Sequence, residues 1–254
     1  MGLLDGKTCV VSGVGPGLGQ AIAKALAREG GRVVLAARSK DYLEQVAAEI
    51  DAPDRTLVVP TDVTDRMQCD ALVEAAGAID VLVNSAFKPD VFQPFVRADL
   101  NDYRSIFDVN VFGTLQLTQA AIPAMKDKGG SIVFVNSMVV RKGGSLQTGY
   151  AASKGALLAA AKSLALELGR YQIRVNSVVP GWMLGASVEQ YLAFQADKRG
   201  VTREDVLGEL GQQTALGAIP TQEDCAEAVV FLASDLSRSM TGQSIDANGG
   251  EYFN

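Results

Sequence analysis

Two hydrophobic patterns alternate along the chain: short runs of apolar, often β-branched residues, and longer segments in which apolar residues recur every three to four positions. The first pattern is typical of buried strands and the second of helices packed on one face. The predicted strands cover residues 7–13, 32–38, 55–62, 79–86, 130–137, 172–181 and 242–250. The predicted helices cover residues 20–30, 39–50, 64–76, 100–126, 150–169, 186–197, 202–213 and 223–234.

Strands that alternate with helices of this size indicate an α/β fold. We predict a single domain over residues 1–254. It contains a doubly wound parallel β-sheet of the Rossmann type, with about seven strands and helices on both faces. No linker, repeat or low-complexity block interrupts the pattern. In such a sheet a ligand binds at the carboxyl ends of the strands, where the strand order reverses.

The first predicted strand runs into a glycine-rich turn and then into a helix. The free N–H groups and positive dipole end of a helix favour a phosphate, and glycine lets the backbone approach it closely. We therefore predict that the glycine turn at Gly13–Gly19 binds the pyrophosphate of a dinucleotide. A plain tight turn between strand and helix is the alternative.

Polar, charged or turn-forming residues stand where the other predicted strands end. They are Arg38, Asp62, Asn84, Ser137 and Pro180. Because the carboxyl ends of parallel strands meet at one edge of the sheet, we expect these residues to converge with the glycine turn. This convergence indicates a ligand site more strongly than any single motif does.

Tyr150 and Lys154 lie four positions apart in a segment whose Ala and Leu content predicts a helix. This spacing puts both side chains on one helix face. A phenol with a pKa of ~10 is a poor base at neutral pH, but a neighbouring ammonium lowers that pKa. The pair can thus exchange a proton while the hydroxyl of Ser137 holds a carbonyl oxygen. A chance pairing on a surface helix is the alternative.

The amino-acid composition excludes several kinds of catalytic and binding site. The 254 residues include no histidine, which excludes Ser-His and Cys-His nucleophiles and the usual His-based metal sites, so we expect no metal. The net charge of −6, without a basic stripe, argues against nucleic acid as a partner. No apolar run reaches the ~18 residues of a membrane span, and the first residues show no signal-peptide pattern. We expect a cytoplasmic protein that does not enter the membrane.

Together these motifs resemble those of the short-chain dehydrogenase/reductase family, over the whole chain. The resemblance implies a nicotinamide cofactor and two sets of functional residues. The implied cofactor contacts are Gly13, Gly17, Leu18, Gly19, Arg38, Asp62, Val63, Asn84, Ala86, Tyr150, Lys154, Pro180, Gly181 and Met183. The implied catalytic residues are Asn110, Ser137, Tyr150 and Lys154.

The resemblance also implies a role for each catalytic residue. Tyr150 exchanges the proton with the substrate's hydroxyl or carbonyl group. Lys154 lowers the pKa of Tyr150 and binds the nicotinamide ribose. Ser137 positions the substrate oxygen, and Asn110 holds a water that relays protons from Lys154. The cofactor itself carries the hydride.

Three positions depart from the family pattern. Ser12 replaces a threonine and keeps the hydroxyl. Phe87 replaces a glycine, so we expect the loop after the fourth strand to be bulkier and to narrow the pocket. Gly185 stands where a threonine often bonds the nicotinamide carboxamide, so that contact is either missing or made by the backbone.

The end of the second strand bears on the choice of cofactor. Proteins of this kind that use NAD usually carry an acidic residue there, which binds the ribose 2′-hydroxyl. Here Ala37 takes that place and Arg38 follows. A guanidinium attracts a 2′-phosphate and can bind it through two hydrogen bonds, so NADP(H) is favoured over NAD(H). A solvated strand end or an ion pair between Arg38 and Asp41 is the alternative.

In the family, the segment that corresponds here to residues of about 182–220 caps the substrate. Its apolar residues include Trp182, Met183, Leu184, Tyr191, Leu192 and Phe194. With Phe87 and residues 138–140 they indicate a small-molecule substrate, a bulky and mostly apolar ketone or secondary alcohol. Arg141 and Lys142 are interpreted as a solvated loop near the mouth rather than as an anion site.

Three hypotheses about function follow. The leading one is an NADP(H)-dependent ketone reductase or alcohol dehydrogenase. A 3-oxoacyl thioester reductase shares the fold and catalytic residues, but it would use basic residues at the pocket rim. The third is a cofactor-binding sensor or scaffold without turnover, a kind of protein that often lacks the Tyr or the Lys.

The resemblance implies a homotetramer or homodimer. Relatives assemble through two long helices, here predicted over about residues 100–126 and 150–170, and through the C-terminal strand. The last four residues, 251–254, are expected to reach a neighbouring subunit.

Overall fold

The computed structural model describes residues 2–253, and its centre is a seven-stranded parallel sheet. The strands are β1 (Thr8–Ser12), β2 (Arg32–Ala37), β3 (Thr56–Pro60), β4 (Val81–Asn84), β5 (Gly130–Val135), β6 (Ile173–Pro180) and β7 (Ser244–Ala247). Their order across the sheet is β3-β2-β1-β4-β5-β6-β7, and all neighbours are parallel. The strand order reverses between β1 and β4, which confirms the predicted doubly wound fold.

Ten α-helices accompany the sheet within the described residues. They are α1 (Leu18–Arg28), α2 (Lys40–Ile50), α3 (Arg66–Ala76), α4 (Leu100–Phe107), α5 (Thr114–Met125), α6 (Val139–Lys142), α7 (Thr148–Leu168), α8 (Ala186–Arg199), α9 (Arg203–Gln212) and α10 (Gln222–Ala233). In this part of the chain, none of the helices has the length and apolar character that crossing a membrane requires.

The sheet is buried on both faces. Successive strand residues point to opposite sides, so Val11 joins one apolar cluster and Val10 the other. Helices α1, α2 and α10 contribute to the first cluster, and α3, α5 and α7 contribute to the second. This two-sided burial explains why the strands read as continuous apolar runs rather than as alternating ones.

The segment predicted as one helix over residues 100–126 is interrupted. A π-helical turn at Asp108–Gly113 separates α4 from α5. A Cβ on Gly113 would come 2.7 Å from Cγ2 of Val63, so the glycine lets the turn lie against the loop after β3. Such turns are frequent at functional sites, and this one carries Asn110. Periodicity does not reveal a single inserted turn.

The segment after β6 forms a separate helical cap. Leu184 and Thr221 form an isolated β-bridge, so the two ends of this segment lie side by side. Its two helices, α8 and α9, lie within two residues of the predicted bounds. They share an apolar cluster of their own, with Val188, Leu192, Val206, Leu210 and Ile219 buried.

Candidate active site

The glycine turn lies between β1 and α1 and is closely packed. A Cβ on Gly13 would overlap the backbone of Ala86, and one on Gly19 would overlap the carbonyl oxygen of Gly13. Gly17 has a φ of 120°, a conformation that favours glycine, and it precedes α1 without a side-chain cap. The first N–H groups of α1 are therefore free to bind an anion.

Arg38 and Asp62 follow the neighbouring strands β2 and β3. Both Thr64 N–H and Thr64 Oγ1 donate to Asp62 Oδ1, at 2.9 and 2.7 Å. These bonds, with a contribution from the Arg38 charge, lower the pKa of Asp62. Arg38 is exposed and forms no ion pair with any carboxylate of residues 2–253, so the alternative pairing with Asp41 is not seen.

Lys154 and Tyr150 share one face of α7. The Lys154 side chain is only 2% exposed, and its Nζ donates to the carbonyl oxygen of Val135 at 2.8 Å. The same Nζ lies 5.7 Å from the centroid of the Tyr150 ring. Burial lowers the pKa of Lys154 from 10.5 to about 8, because a charged ammonium loses its hydration there.

The pKa of Tyr150 is raised, whereas the sequence predicts that it is lowered. Burial raises it, while a hydrogen bond with the Ser137 hydroxyl lowers it by a smaller amount. The sequence predicts that the ammonium of Lys154 lowers this pKa. Loss of hydration disfavours the phenolate more than the Ser137 hydrogen bond favours it, so Tyr150 is protonated at neutral pH.

Asn110 lies in the π-helical turn and is fully buried. Its Oδ1 accepts from the N–H of Lys88 at 2.6 Å, and its Nδ2 donates to the Lys88 carbonyl and to Ser153 Oγ. The side chain thus ties the loop after β4 to α7. The predicted water at Asn110 stays a prediction.

Asn84, a predicted cofactor contact, is turned into the protein. It is 4% exposed, and its Nδ2 donates to Thr118 Oγ1 at 3.1 Å. Its Oδ1 has no partner among the described residues. The amide links β4 to α5 beneath the site, whereas the neighbouring Ala86 lies directly against Gly13 of the glycine turn.

The loop after β4 holds Tyr150 at two points. The Phe87 ring meets the Tyr150 ring edge-on, with centroids 6.2 Å apart, and is itself 57% exposed. Asp90 is 6% exposed, and its Oδ2 accepts from the backbone N–H of Tyr150 at 2.8 Å. Sequence reasoning missed Asp90, because a loop carboxylate sixty positions from its partner gives no local signal.

The turn after β6 lies beside the segment that follows Ser137. The N–H of Met138 donates to the carbonyl of Pro180 at 2.9 Å, and the N–H of Gly181 donates to Ala247 at 3.3 Å. Met183, another predicted cofactor contact, is half-buried just beyond this turn.

The two cations near the mouth of the expected pocket form ion pairs with carboxylates close to the C-terminus. Arg141 binds Asp246 at 2.8 Å, and Lys142 forms an ion pair with Glu251. Glu251 also accepts from the N–H of Trp182 at 3.1 Å. Arg141 is therefore a half-buried ion-pair partner rather than part of a solvated loop, whereas Lys142 is exposed as expected. The contact of the last four residues with a neighbouring subunit stays a prediction. Asn254 lies outside the described residues.

Comparisons with known proteins identify the family. The model of the family described as enoyl-(acyl carrier protein) reductase matches residues 13–251. An uncharacterised oxidoreductase of Methylorubrum extorquens is 39% identical over 256 residues, which cover 98% of this chain and 99% of the relative. This chain belongs to the short-chain dehydrogenase/reductase family.

Solved structures of short-chain dehydrogenases/reductases share its fold. A glucose/ribitol dehydrogenase of the family from Brucella melitensis superimposes with a TM-score of 0.90 at 28% identity, covering 100% of this chain and 99% of that one. A variant of actinorhodin polyketide ketoreductase with NADPH gives a TM-score of 0.88 at 27% identity, covering 96% and 97%. The chain is therefore an oxidoreductase of a family that binds a nicotinamide cofactor.

The glycine turn and Arg38 of this short-chain dehydrogenase/reductase suit such a cofactor. The uncapped N–H groups of α1 suit a pyrophosphate, and the glycines let β1, α1 and the loop after β4 pack closely at this point. The exposed guanidinium of Arg38 lies at the end of β2, next to β1 in the sheet. Tyr150 and Lys154 lie on α7, which follows β5 in the chain. In the sheet, β1 and β4 separate β5 from β2.

Proposed function

We propose that this protein transfers a hydride between NADP(H) and a bulky, mostly apolar ketone or secondary alcohol. The observation that carries the proposal is the exposed Phe87 ring, which meets the Tyr150 ring edge-on at 6.2 Å. An exposed aromatic face beside a proton-exchanging phenol favours a substrate whose carbonyl is flanked by apolar surface.

The proposed acid–base chemistry follows from three side chains. In carbonyl reduction, the protonated Tyr150 donates its proton to the developing alkoxide, while the hydroxyl of Ser137 holds the same oxygen. The ammonium of Lys154 stabilises the phenolate that remains. When bound, the nicotinamide cofactor supplies the hydride. In alcohol oxidation, the Tyr150 phenolate takes the hydroxyl proton instead.

The preference for NADP(H) is supported by the free guanidinium of Arg38. It follows β2, where a dinucleotide-binding fold holds the ribose 2′ position, and it forms no ion pair with a carboxylate of residues 2–253. A 2′-phosphate would pair with it through charge-assisted hydrogen bonds.

The alternative of a 3-oxoacyl thioester reductase is supported less. Such a substrate brings a carrier or coenzyme phosphate to the rim of the pocket. The cations near this rim, Arg141 and Lys142, already pair with Asp246 and Glu251. A third alternative, a sensor without turnover, has no observation in its favour, since Tyr150 and Lys154 are both present.

The first experiment measures binding of NADPH and NADH by nicotinamide fluorescence, followed by absorbance assays on a panel of carbonyl compounds. The panel should contain alicyclic and aryl ketones, a 3-oxoacyl thioester and a polyol, the last two as competing classes. We expect tighter binding of NADPH and turnover of the apolar ketones. Turnover of only the thioester or the polyol would overturn the substrate assignment, and binding of neither cofactor would overturn the whole proposal.

Tyr150→Phe tests the acid–base role. The variant keeps the ring that packs against Phe87 but loses the exchangeable proton, so we expect turnover to fall by at least about 100-fold. The Kd for NADPH should stay within about 2-fold of the wild-type value, because a ring of the same shape remains and at most one neutral hydrogen bond is lost. Retained turnover would refute the assigned mechanism.

Arg38→Ala tests the cofactor preference. Removal of the guanidinium should raise the Kd for NADPH about 10-fold or more and leave the Kd for NADH nearly unchanged. Lys40→Ala is the matched control, since Lys40 is a nearby exposed cation that pairs with Glu44. Equal effects of Arg38→Ala on both cofactors would contradict the role in reading the 2′-phosphate.

A further inference from the structure

Gln222, the first residue of α10, places its side chain against both the glycine turn and the start of the helical cap. A Cβ on Gly17 would lie 3.2 Å from Gln222 Nε2, and a Cβ on Gly185 would overlap the same amide. Gly17 precedes α1, and Gly185 precedes α8. The two glycines therefore make room for this side chain beside the free N–H groups of α1.

The amide of Gln222 is not needed to build the helix that carries it. The N-terminus of α10 is closed by a capping box, in which Thr221 Oγ1 accepts from Asp224 N–H and Asp224 Oδ2 accepts from Thr221 N–H. Within residues 2–253, the half-buried Gln222 side chain has no hydrogen-bond partner. A primary amide that is not used in capping and lies beside the N-terminus of α1 has donors available for a ligand bound there.

We propose that the side-chain N–H of Gln222 donates to the pyrophosphate of the bound cofactor. This inference rests on the proposed cofactor site and adds a residue to it. The pyrophosphate is the part of a dinucleotide that the N-terminus of α1 attracts, and Gly17 lies at that N-terminus. The contact would also join the cofactor to Gly185, where the cap over the substrate begins.

The test measures cofactor affinity without requiring turnover. Fluorescence titration with NADPH should show a Kd raised about 3- to 10-fold in Gln222→Ala, as expected for loss of one hydrogen bond. Gln222→Glu should raise it more, because a carboxylate repels the phosphates. Gln243→Glu makes the same chemical change beside the amino end of β7, at the far edge of the sheet, and should leave the Kd unchanged.

Fragments of the cofactor locate the contact. ADP-ribose 2′-phosphate keeps the pyrophosphate and lacks nicotinamide, so it should lose as much affinity as NADPH in both Gln222 variants. Adenosine 2′,5′-bisphosphate lacks the second phosphate of the pyrophosphate and should lose less. Wild-type affinity of both variants for NADPH would overturn the proposal, as would a loss that is confined to NADPH and absent from ADP-ribose 2′-phosphate. If the wild-type protein binds no cofactor, the proposed function fails instead.

Discussion

Lys154 is an ammonium group that the protein interior holds almost without water. It is 2% exposed, and among residues 2–253 its Nζ has one hydrogen bond, to the carbonyl of Val135. Its pKa of about 8 lies below the ordinary 10.5. The unfolded chain therefore binds a proton that the folded chain releases between these two pH values, so stability rises with pH in that window. Below about pH 8 the full cost of burying the charge is present.

Lys154→Met should thus stabilise the protein without cofactor while removing turnover. At pH 7 we expect the free energy of unfolding to rise by on the order of 1–3 kcal/mol, because the buried charge is gone. Urea denaturation at several pH values between 7 and 10 checks this. The wild-type protein should gain stability across that range, and the variant should not. A variant less stable than the wild type at pH 7 would contradict the prediction.

At the scale of single residues, the sequence predicts partners better than it predicts protonation. The four-residue spacing correctly put Tyr150 and Lys154 on one helix face. The direction of the Tyr150 pKa was wrong, because it depends on burial, which tertiary packing creates. For the same reason, nothing in the chain around Asn84 shows that its amide turns inward to Thr118.

Among the elements, α7 depends on a distant residue for its N-terminus. Gln147 precedes the helix and makes no capping hydrogen bond, whereas Asp90 accepts from the N–H of Tyr150. A carboxylate near a helix N-terminus also interacts favourably with the helix dipole. Asp90 therefore positions the helix turn from which the Tyr150 phenol projects.

Asp90→Ala should affect both stability and catalysis. Loss of a cap costs about 1 kcal/mol, and a small displacement of Tyr150 should lower kcat about 10-fold or more with little change in the Kd for NADPH. Asp99→Ala removes a comparable cap from α4 and should cost similar stability with kcat unchanged. Asp90→Asn keeps one acceptor and should recover part of the kcat. Equal loss of kcat in the Asp90→Ala and Asp99→Ala variants would indicate a merely structural role.

The order of elements was predictable, but their interruptions were not. Apolar runs and helical periodicity located the seven strands and most helices, with ends shifted by up to about three residues. The π-helical turn at Asp108–Gly113 depends on the fit of Gly113 against Val63 and on the hydrogen bonds of Asn110. These are contacts between segments distant in sequence, so the local pattern does not contain them.

For the whole molecule, parallel topology explains why the candidate site could be located from sequence. Strand ends that are far apart in the chain meet at one sheet edge, so the glycine turn, Arg38 and Ser137 were expected together. The contacts of the C-terminal segment were not expected, since Glu251 binds Trp182 and Lys142 of its own chain.

The same helices that carry the catalytic residues also expose apolar surface. On α7, Gly155, Ala159 and Leu166 are exposed, and Leu166 is 87% exposed; Phe112, in the π-helical turn, is 63% exposed. Small residues on a helix face let a second helix approach closely, and exposed apolar side chains that cluster mark interaction surfaces. We therefore expect this surface to be covered by another copy of the chain, in a homodimer or homotetramer.

Light scattering after size exclusion should give two or four times the 26.7 kDa of one chain. Introducing charge at the expected interface, with Ala159→Arg and Leu166→Arg together, should lower the mass towards one chain, because burying unpaired guanidinium groups is costly. Leu216→Arg is the control, since Leu216 is 81% exposed but lies in the cap after α9. A wild-type protein that elutes as a single chain would refute the assembly. An oligomer that resists the double variant would place the interface elsewhere, so assembly and its location are tested separately.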